Sequence, residues 1–323
     1  MTFEEKKVIA DAFMKEHGFT MPQPLLSGRH QFVVGSGALR LTDPCYSMDV
    51  WCAGTLENVK NGIWMSGVYT KVSVHDFVYD IVKLKERHDA VKFIEANKKT
   101  LSEIFASNSI GNPFGDGNVD VGIRSLARIL DTVEKIQSPE DLEKANKLID
   151  EIEKGSLEHF GFRGYESPEK TIEKLRAGEF YRRTSILFAV HAEHAHEPHF
   201  SNENIIETFK SSVISGIYVG VDSGQAGMFD LEPFKTVASP ITGKSPEHEE
   251  FYDKCCNWLC EESSINPTMV TLKGEDLPMG INSSSGYGDG GYNAHIVTDD
   301  SGQVIVLAFD YMGDIGGNKE DKT

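Results

Sequence analysis

Apolar positions change their period several times along this chain, and the changes outline its organisation. Near the start, Val8, Ile9, Ala12 and Phe13 fall on one face of a 3.6-residue period, Thr2 and Glu5 have capping-box spacing, and Gly18 is placed to close the C-terminus. The pattern predicts a helix that ends before Met21-Pro22-Gln23-Pro24. From about residue 31 to 69 the texture turns to short β-like runs such as Phe32-Val33-Val34 and Gly67-Val68-Tyr69, separated by glycines. Between about His75 and Gly178 it is helical again: Phe77, Ile81, Leu84, Val91, Ile94, Leu101 and Phe105 recur at three- and four-residue steps, and Leu126, Ile129, Leu130 and Val133 continue them. Ser138-Pro139-Glu140 and Ser167-Pro168-Glu169 each combine an N-cap residue, a first-turn proline and an acid near the positive end of the helix dipole, so two further helices are predicted to start there. The run Gly111 to Gly117 divides the helical stretch into two groups.

Strand character returns at Ser185 to Val190 and at Ile214 to Val221. A third Ser-Pro-Glu start at Ser245 precedes a helix with Tyr252, Cys255, Cys256 and Leu259 on one face, and Ala294 to Phe309 reads as a hairpin about Asp299-Asp300-Ser301-Gly302. The expectation is an α+β fold: a β-rich core formed by the N- and C-terminal parts, interrupted by a long helical insertion. Its boundaries are residues 1–75 for the first helix and first part of the core, 76–180 for the insertion, 181–317 for the second part, and 318–323 for a disordered tail. An internal echo crosses these boundaries. Ser36-Gly37 precedes Asp43, and Ser223-Gly224 precedes Asp230 at the same spacing, each after a short Val/Gly strand.

Composition narrows the classes. Of 323 residues 39% are hydrophobic, enough for a normal core. The charged opening Met1-Thr2-Phe3-Glu4-Glu5-Lys6-Lys7 is unlike a signal peptide, and no apolar run approaches the roughly 20 residues that span a bilayer. Cys45, Cys52, Cys255, Cys256 and Cys260 form no CxxC pair and lack disulfide-scaffold density, which favours a reducing compartment. Fifty acidic against 32 basic side chains give a formal charge of -18, so a phosphate backbone meets net repulsion while a basic protein surface is attracted. The expected location is the cytoplasm, with no membrane and no direct nucleic-acid partner.

Leu41-Thr42-Asp43-Pro44-Cys45-Tyr46, Gly220 through Asp230, Phe251 through Cys256, and Ser283 through Tyr292 together resemble an uncharacterised family of bacterial and phage proteins that includes those with the domain of unknown function 4241. The resemblance covers the β core at both ends, and the helical stretch departs from the simpler members. It implies a phage or prophage setting in a bacterial host cell and carries no activity over.

Four groups of residues carry candidate chemistry. Asp43, Asp222, Asp230 and Asp289, if convergent, would hold Mg²⁺ or Ca²⁺ or act as an acid/base pair for hydrolysis; alternatively they cap turns. The segment holding Ser285, Gly286, Gly288, Asp289 and Gly290 either cradles an anion with backbone amides or simply turns the chain into the last hairpin. His191, His194 and His196, with His199 beyond, either form a solvated loop or offer imidazoles to Zn²⁺, and in an extended segment His194 and His196 would share a face. Cys45 lacks a sequence-local base to make it a nucleophile. Trp51, Trp64 and Trp258 with Tyr46, Tyr69 and Tyr287 suit either a stacking surface or the core. The leading expectation is an acidic interaction protein, homo-oligomeric and plausible as a phage product, that binds and inhibits a host protein complex with a basic surface, such as a nucleic-acid-handling defence complex. The alternatives are a metal-dependent hydrolase of a nucleotide or phosphorylated metabolite, and a nucleotide-binding sponge.

Overall fold

In the computed structural model the described residues are 1–27, 30–85, 88–89, 92, 168–197, 205–210, 212–238, 245–257 and 267–315. The expected helices between residues 93 and 167, the tail, Trp258, His199 and Cys260 lie outside them. The chain divides into two compact units, residues 1–22 with 73–180, and residues 23–72 with 181–323. The class is α+β with a β-rich core assembled from both ends of the chain, as the periodicity indicates.

The first unit contains helix α1 (Phe3–His17), in which Thr2 and Glu5 form the capping box and Gly18 takes the left-handed conformation at the C-cap. Residues 74–85 are helical, and a further helix spans Pro168–Arg176. The sequence pattern had joined α1 to the first part of the β core. Instead α1 belongs with residues 73–180, because Phe13 and His17, on its buried side, pack their rings against His88.

The second unit is a sandwich of two antiparallel sheets. Its strands are β1 (Leu25–Leu26), β2 (His30–Val34), β3 (Leu39–Thr42), β4 (Gly54–Leu56), β5 (Gly62–Lys71), β6 (Arg183–His191), β7 (Val213–Val221), β8 (Gln225–Asp230), β9 (Thr268–Val270), β10 (Gly280–Ser284), β11 (Gly290–Thr298) and β12 (Val304–Asp310). One sheet runs β1-β5-β6-β12-β11-β7, with β2 also pairing β5; the other runs β4-β3-β8-β10-β9. Strand β6 alternates strictly between two cores. Leu187 and Ala189 face the other sheet alongside Trp64, Leu41, Met228 and Phe309, whereas Ile186, Phe188 and Val190 pack on the opposite face with Phe209 of the short helix Ile205–Lys210. The outer face of the second sheet is covered by Phe234 and Phe251, which stand on the helices Leu231–Val237 and Pro246–Asn257. The third Ser-Pro-Glu start is thus a helix start.

Both halves of this sandwich repeat one path. In the first half β2 pairs β5, β3 pairs β4 and β5 pairs β6; in the second β7 pairs β11, β8 pairs β10 and β11 pairs β12. The two copies meet through β3 against β8 in one sheet and β6 against β12 in the other. The last strand residue ahead of each Ser-Gly turn opposes a glycine that opens the next long strand: Val34 faces Gly62 and Val221 faces Gly290, and both glycines have positive φ. The core is therefore a five-strand motif present twice, related by an approximate twofold. Where the second copy has the tight β11–β12 hairpin, the first carries residues 73–180, so the large insertion replaces a turn.

Candidate functional site

The Ser-Gly-Asp echo marks a reciprocal exchange between the copies. Asp43, wholly buried, accepts from the backbone N–H groups of Asp222 and Ser223 (both 2.8 Å), from Ser223 Oγ (2.7 Å) and from the Cys45 N–H (2.9 Å). Asp230 does the same for the other turn, accepting from Gly35 N–H at 3.0 Å, Ser36 N–H at 3.1 Å and Ser36 Oγ. Each aspartate clasps the turn of the opposite copy. Asp230 also stands at the N-cap of the helix Leu231–Val237 without capping it, because its oxygens are already engaged. Asp43 thus holds the turn that carries Asp222, and Asp289 precedes Gly290, the strand partner of Val221, whereas Asp230 holds the other turn. Asp43 and Asp230 hold separate turns, while Asp222 and Asp289 are exposed. Two donors meet each oxygen of Asp43, so its lone-pair directions are taken, while Asp230 accepts twice on Oδ1 and once on Oδ2.

The glycine segment turns inward on itself. Ser285 Oγ donates to Gly288 O (2.9 Å), Gly288 N–H returns to Ser285 O (3.0 Å), and the Tyr292 hydroxyl donates to both carbonyls. Gly286 has positive φ and sits against Tyr311, where a side chain would collide, and its carbonyl accepts from Arg183. Asp289 and Gly290 are exposed at the end of the loop. The segment is a closed turn whose Ser285 and Gly288 carbonyls are tied by a tyrosine.

Burial, then the nearby Asp43 carboxylate, push the Cys45 thiol far above the ordinary range, which disfavours its thiolate. Cys255 is buried on the helix Pro246–Asn257 and is raised by the same cause. Beside it, Asn282 Nδ2 donates to Gln225 Oε1 (2.6 Å) and Gln225 Nε2 reaches Cys256 Sγ (3.2 Å), a polar seam that fixes the helix on the sheet.

The histidines come together differently from the extended-chain expectation. After β6 the backbone makes successive three-residue turns, with His194 N–H to His191 O (2.9 Å), Ala195 N–H to Ala192 O, and Glu197 N–H to His194 O. That winding brings His194 over His191, ring centroids 6.2 Å apart, and leaves His196 exposed and outside the group. One ligand atom each from His191, Glu193 and His194 lie within 4.8 Å of one another. Glu193 missed notice in the sequence; its position between two histidines three apart was the available signal.

His191 is 3% exposed and burial lowers its pKa, so it is neutral at pH 7. His295, also buried, is lowered by the same cause. For a histidine whose folded pKa lies below its unfolded value near 6.5, the unfolded chain binds more protons under acid conditions, so stability is lost as pH falls through about 6.5. Urea midpoints at pH 7.5 and 5.5 are expected to differ in that direction, and His295→Gln should reduce the difference. An unchanged difference would remove His295 as a contributor.

No protein-family model matches the chain, and neither does any curated protein or solved structure. Among the described residues no helix is long and apolar enough to cross a membrane.

Proposed function

We propose that this is an acidic protein-binding module whose second unit docks a partner carrying a basic surface around an apolar centre. The observation that carries the reading is a concentration of exposed apolar side chains on the edge strand β7 and the loop beside it. Val213, Ile214 and Tyr218 on β7 are well exposed, and Trp51 is 88% exposed. The Trp51 loop lies along β7, where Cys52 O accepts from Gly220 N–H at 2.7 Å and Ile217 packs on Gly54. Tyr218 lies over Gly291, so close that any side chain there would displace it. A tryptophan and a tyrosine standing on a rigid sheet are the usual anchors of a protein interface. The net charge of -18 favours a partner whose own surface is basic, as in nucleic-acid-handling proteins. The resemblance to phage proteins points to a host defence complex as the target and to inhibition by occupying its nucleic-acid surface, with a homo-oligomer raising avidity.

The test is binding to purified bacterial nucleic-acid-handling complexes with and without competing DNA or RNA. Binding should weaken with salt and with competitor, and Trp51→Ala with Tyr218→Ala should lower affinity at least about 30-fold, the effect of a hot spot of about 2 kcal/mol. A double variant that binds as tightly as the parent would remove β7 as the docking edge.

A further inference from the structure

We propose that His191, Glu193 and His194 form a binding site for a zinc-class divalent cation at the end of β6. The proposal stands independently of the protein-binding reading. Each imidazole already has one nitrogen held by an acceptor. His191 Nε2 lies 3.0 Å from Asn61 O, and since a carbonyl only accepts, that nitrogen carries the proton. The remaining Nδ1 then carries the lone pair, and among the described residues it accepts only from the Glu193 N–H, at 3.4 Å. His194 Nδ1 lies 2.6 Å from Glu197 Oε1 and donates to it, which leaves Nε2 as the lone-pair nitrogen of the neutral ring. That Nε2 is buried without a hydrogen-bond partner among the described residues. A backbone carbonyl on one ring and a carboxylate on the other, each fixing the tautomer and leaving one nitrogen with a free lone pair, is how metal-binding imidazoles are oriented.

The donor set selects the ion. Two imidazoles and a carboxylate suit Zn²⁺ and its neighbours and disfavour Mg²⁺ and Ca²⁺, which take oxygen ligands; three protein donors leave a fourth position for water or an incoming ligand. The donors must close from within 4.8 Å to about 3.3 Å to surround a tetrahedral ion. Glu193 has the freedom to do so, being exposed, but it is paired with Lys60 at 2.8 Å. Lys60 also lies 3.9 Å from Asp299, so it can turn to that carboxylate when Glu193 turns inward. Lys60 is thus the cation that competes with the metal for Glu193. Gly62 protects the arrangement, since a Cβ there would stand 2.7 Å from His191 Nε2.

Co²⁺ titration of the full chain, followed by displacement with Zn²⁺, tests the site. The expected result is a tetrahedral visible absorption that saturates at one equivalent. His194→Ala should weaken binding about 100-fold or more, and Glu197→Gln, which removes the carboxylate charge behind His194, about 10- to 100-fold. Lys60→Met should tighten binding several-fold, and His196→Ala should leave it unchanged. Circular dichroism of each variant establishes that it is folded. Absence of a saturable band overturns the proposal, as does His196→Ala weakening binding as much as His194→Ala, or Lys60→Met failing to tighten it.

Discussion

Replacing Asp43 by alanine is expected to lower the stability of the second unit by about 3 kcal/mol or more, because three backbone N–H groups and a serine hydroxyl lose their common acceptor inside the fold. Asp230→Ala removes the equivalent acceptor from Gly35 and Ser36 and should cost a similar but smaller amount, since fewer donors are stranded. Asp43→Asn separates charge and shape: the side chain keeps its size but points an NH₂ at one group of donors, so most of the loss should remain. Each aspartate joins one copy of the motif to the turn of the other, so both variants should unfold the two copies together. Urea unfolding followed by near-ultraviolet circular dichroism measures this. Losses below about 1 kcal/mol for both alanine variants, or separate transitions for the two copies, would mean that the clasps do not couple the halves.

The sequence made the repetition visible but not its meaning. Ser36, Gly37 and Asp43 against Ser223, Gly224 and Asp230 were legible as matched spacings, yet spacing alone suggests that each aspartate serves its own turn. The exchange requires β3 to lie antiparallel to β8 with Leu41 opposite Met228, and register between strands so far apart in the chain leaves no local trace. The strand character of Ser185 to Val190 and the hairpin about Asp299 were legible because they depend on near neighbours. The histidines illustrate the opposite case. Period-two reasoning pairs His194 with His196, but β6 ends at His191, and in the turns beyond it the relevant spacing is three.

The exposed strip on β7 has a similar explanation. Ile214 to Val221 reads from sequence as a strand, and in the observed strand Val213–Val221 the side chains of Val219 and Val221 face the core. The outward residues owe their exposure to their neighbours being glycines: Gly291 gives Tyr218 a flat backbone to lie on, and Gly220 admits Cys52. Gly216, with positive φ, accompanies the register shift between Asn293 and His295 that leaves Val213 and Ile214 outside the core. Glycine positions on one strand thus decide which side chains of the next are presented, and that information lies across a sheet, not along the chain.

Phe229→Ala should produce a loss of about 3 to 5 kcal/mol, the range for deleting a fully buried phenylalanine. Its ring stacks on Phe234 and meets Phe251 edge-on, both at 5.3 Å, while those two rings meet at 5.7 Å, so the three form one cluster fastening both covering helices to the second sheet. Phe229→Leu should cost far less, because most of the volume is retained. The ring also lies over Gly227 of its own strand and Gly280 of β10: a Cβ on Gly227 would stand 2.3 Å from it and one on Gly280 2.6 Å. Gly227→Ala must therefore move the ring as well as meet the Ile281 carbonyl, which would be only 2.8 Å from the new carbon. Part of its cost should vanish once the ring is gone, so Gly227→Ala combined with Phe229→Ala should be less destabilising than the separate losses added, by about 1 kcal/mol or more. Strict additivity in urea unfolding would show that the glycine serves only the backbone of β10. It would also mean that the ring has room to move without loosening the two helices.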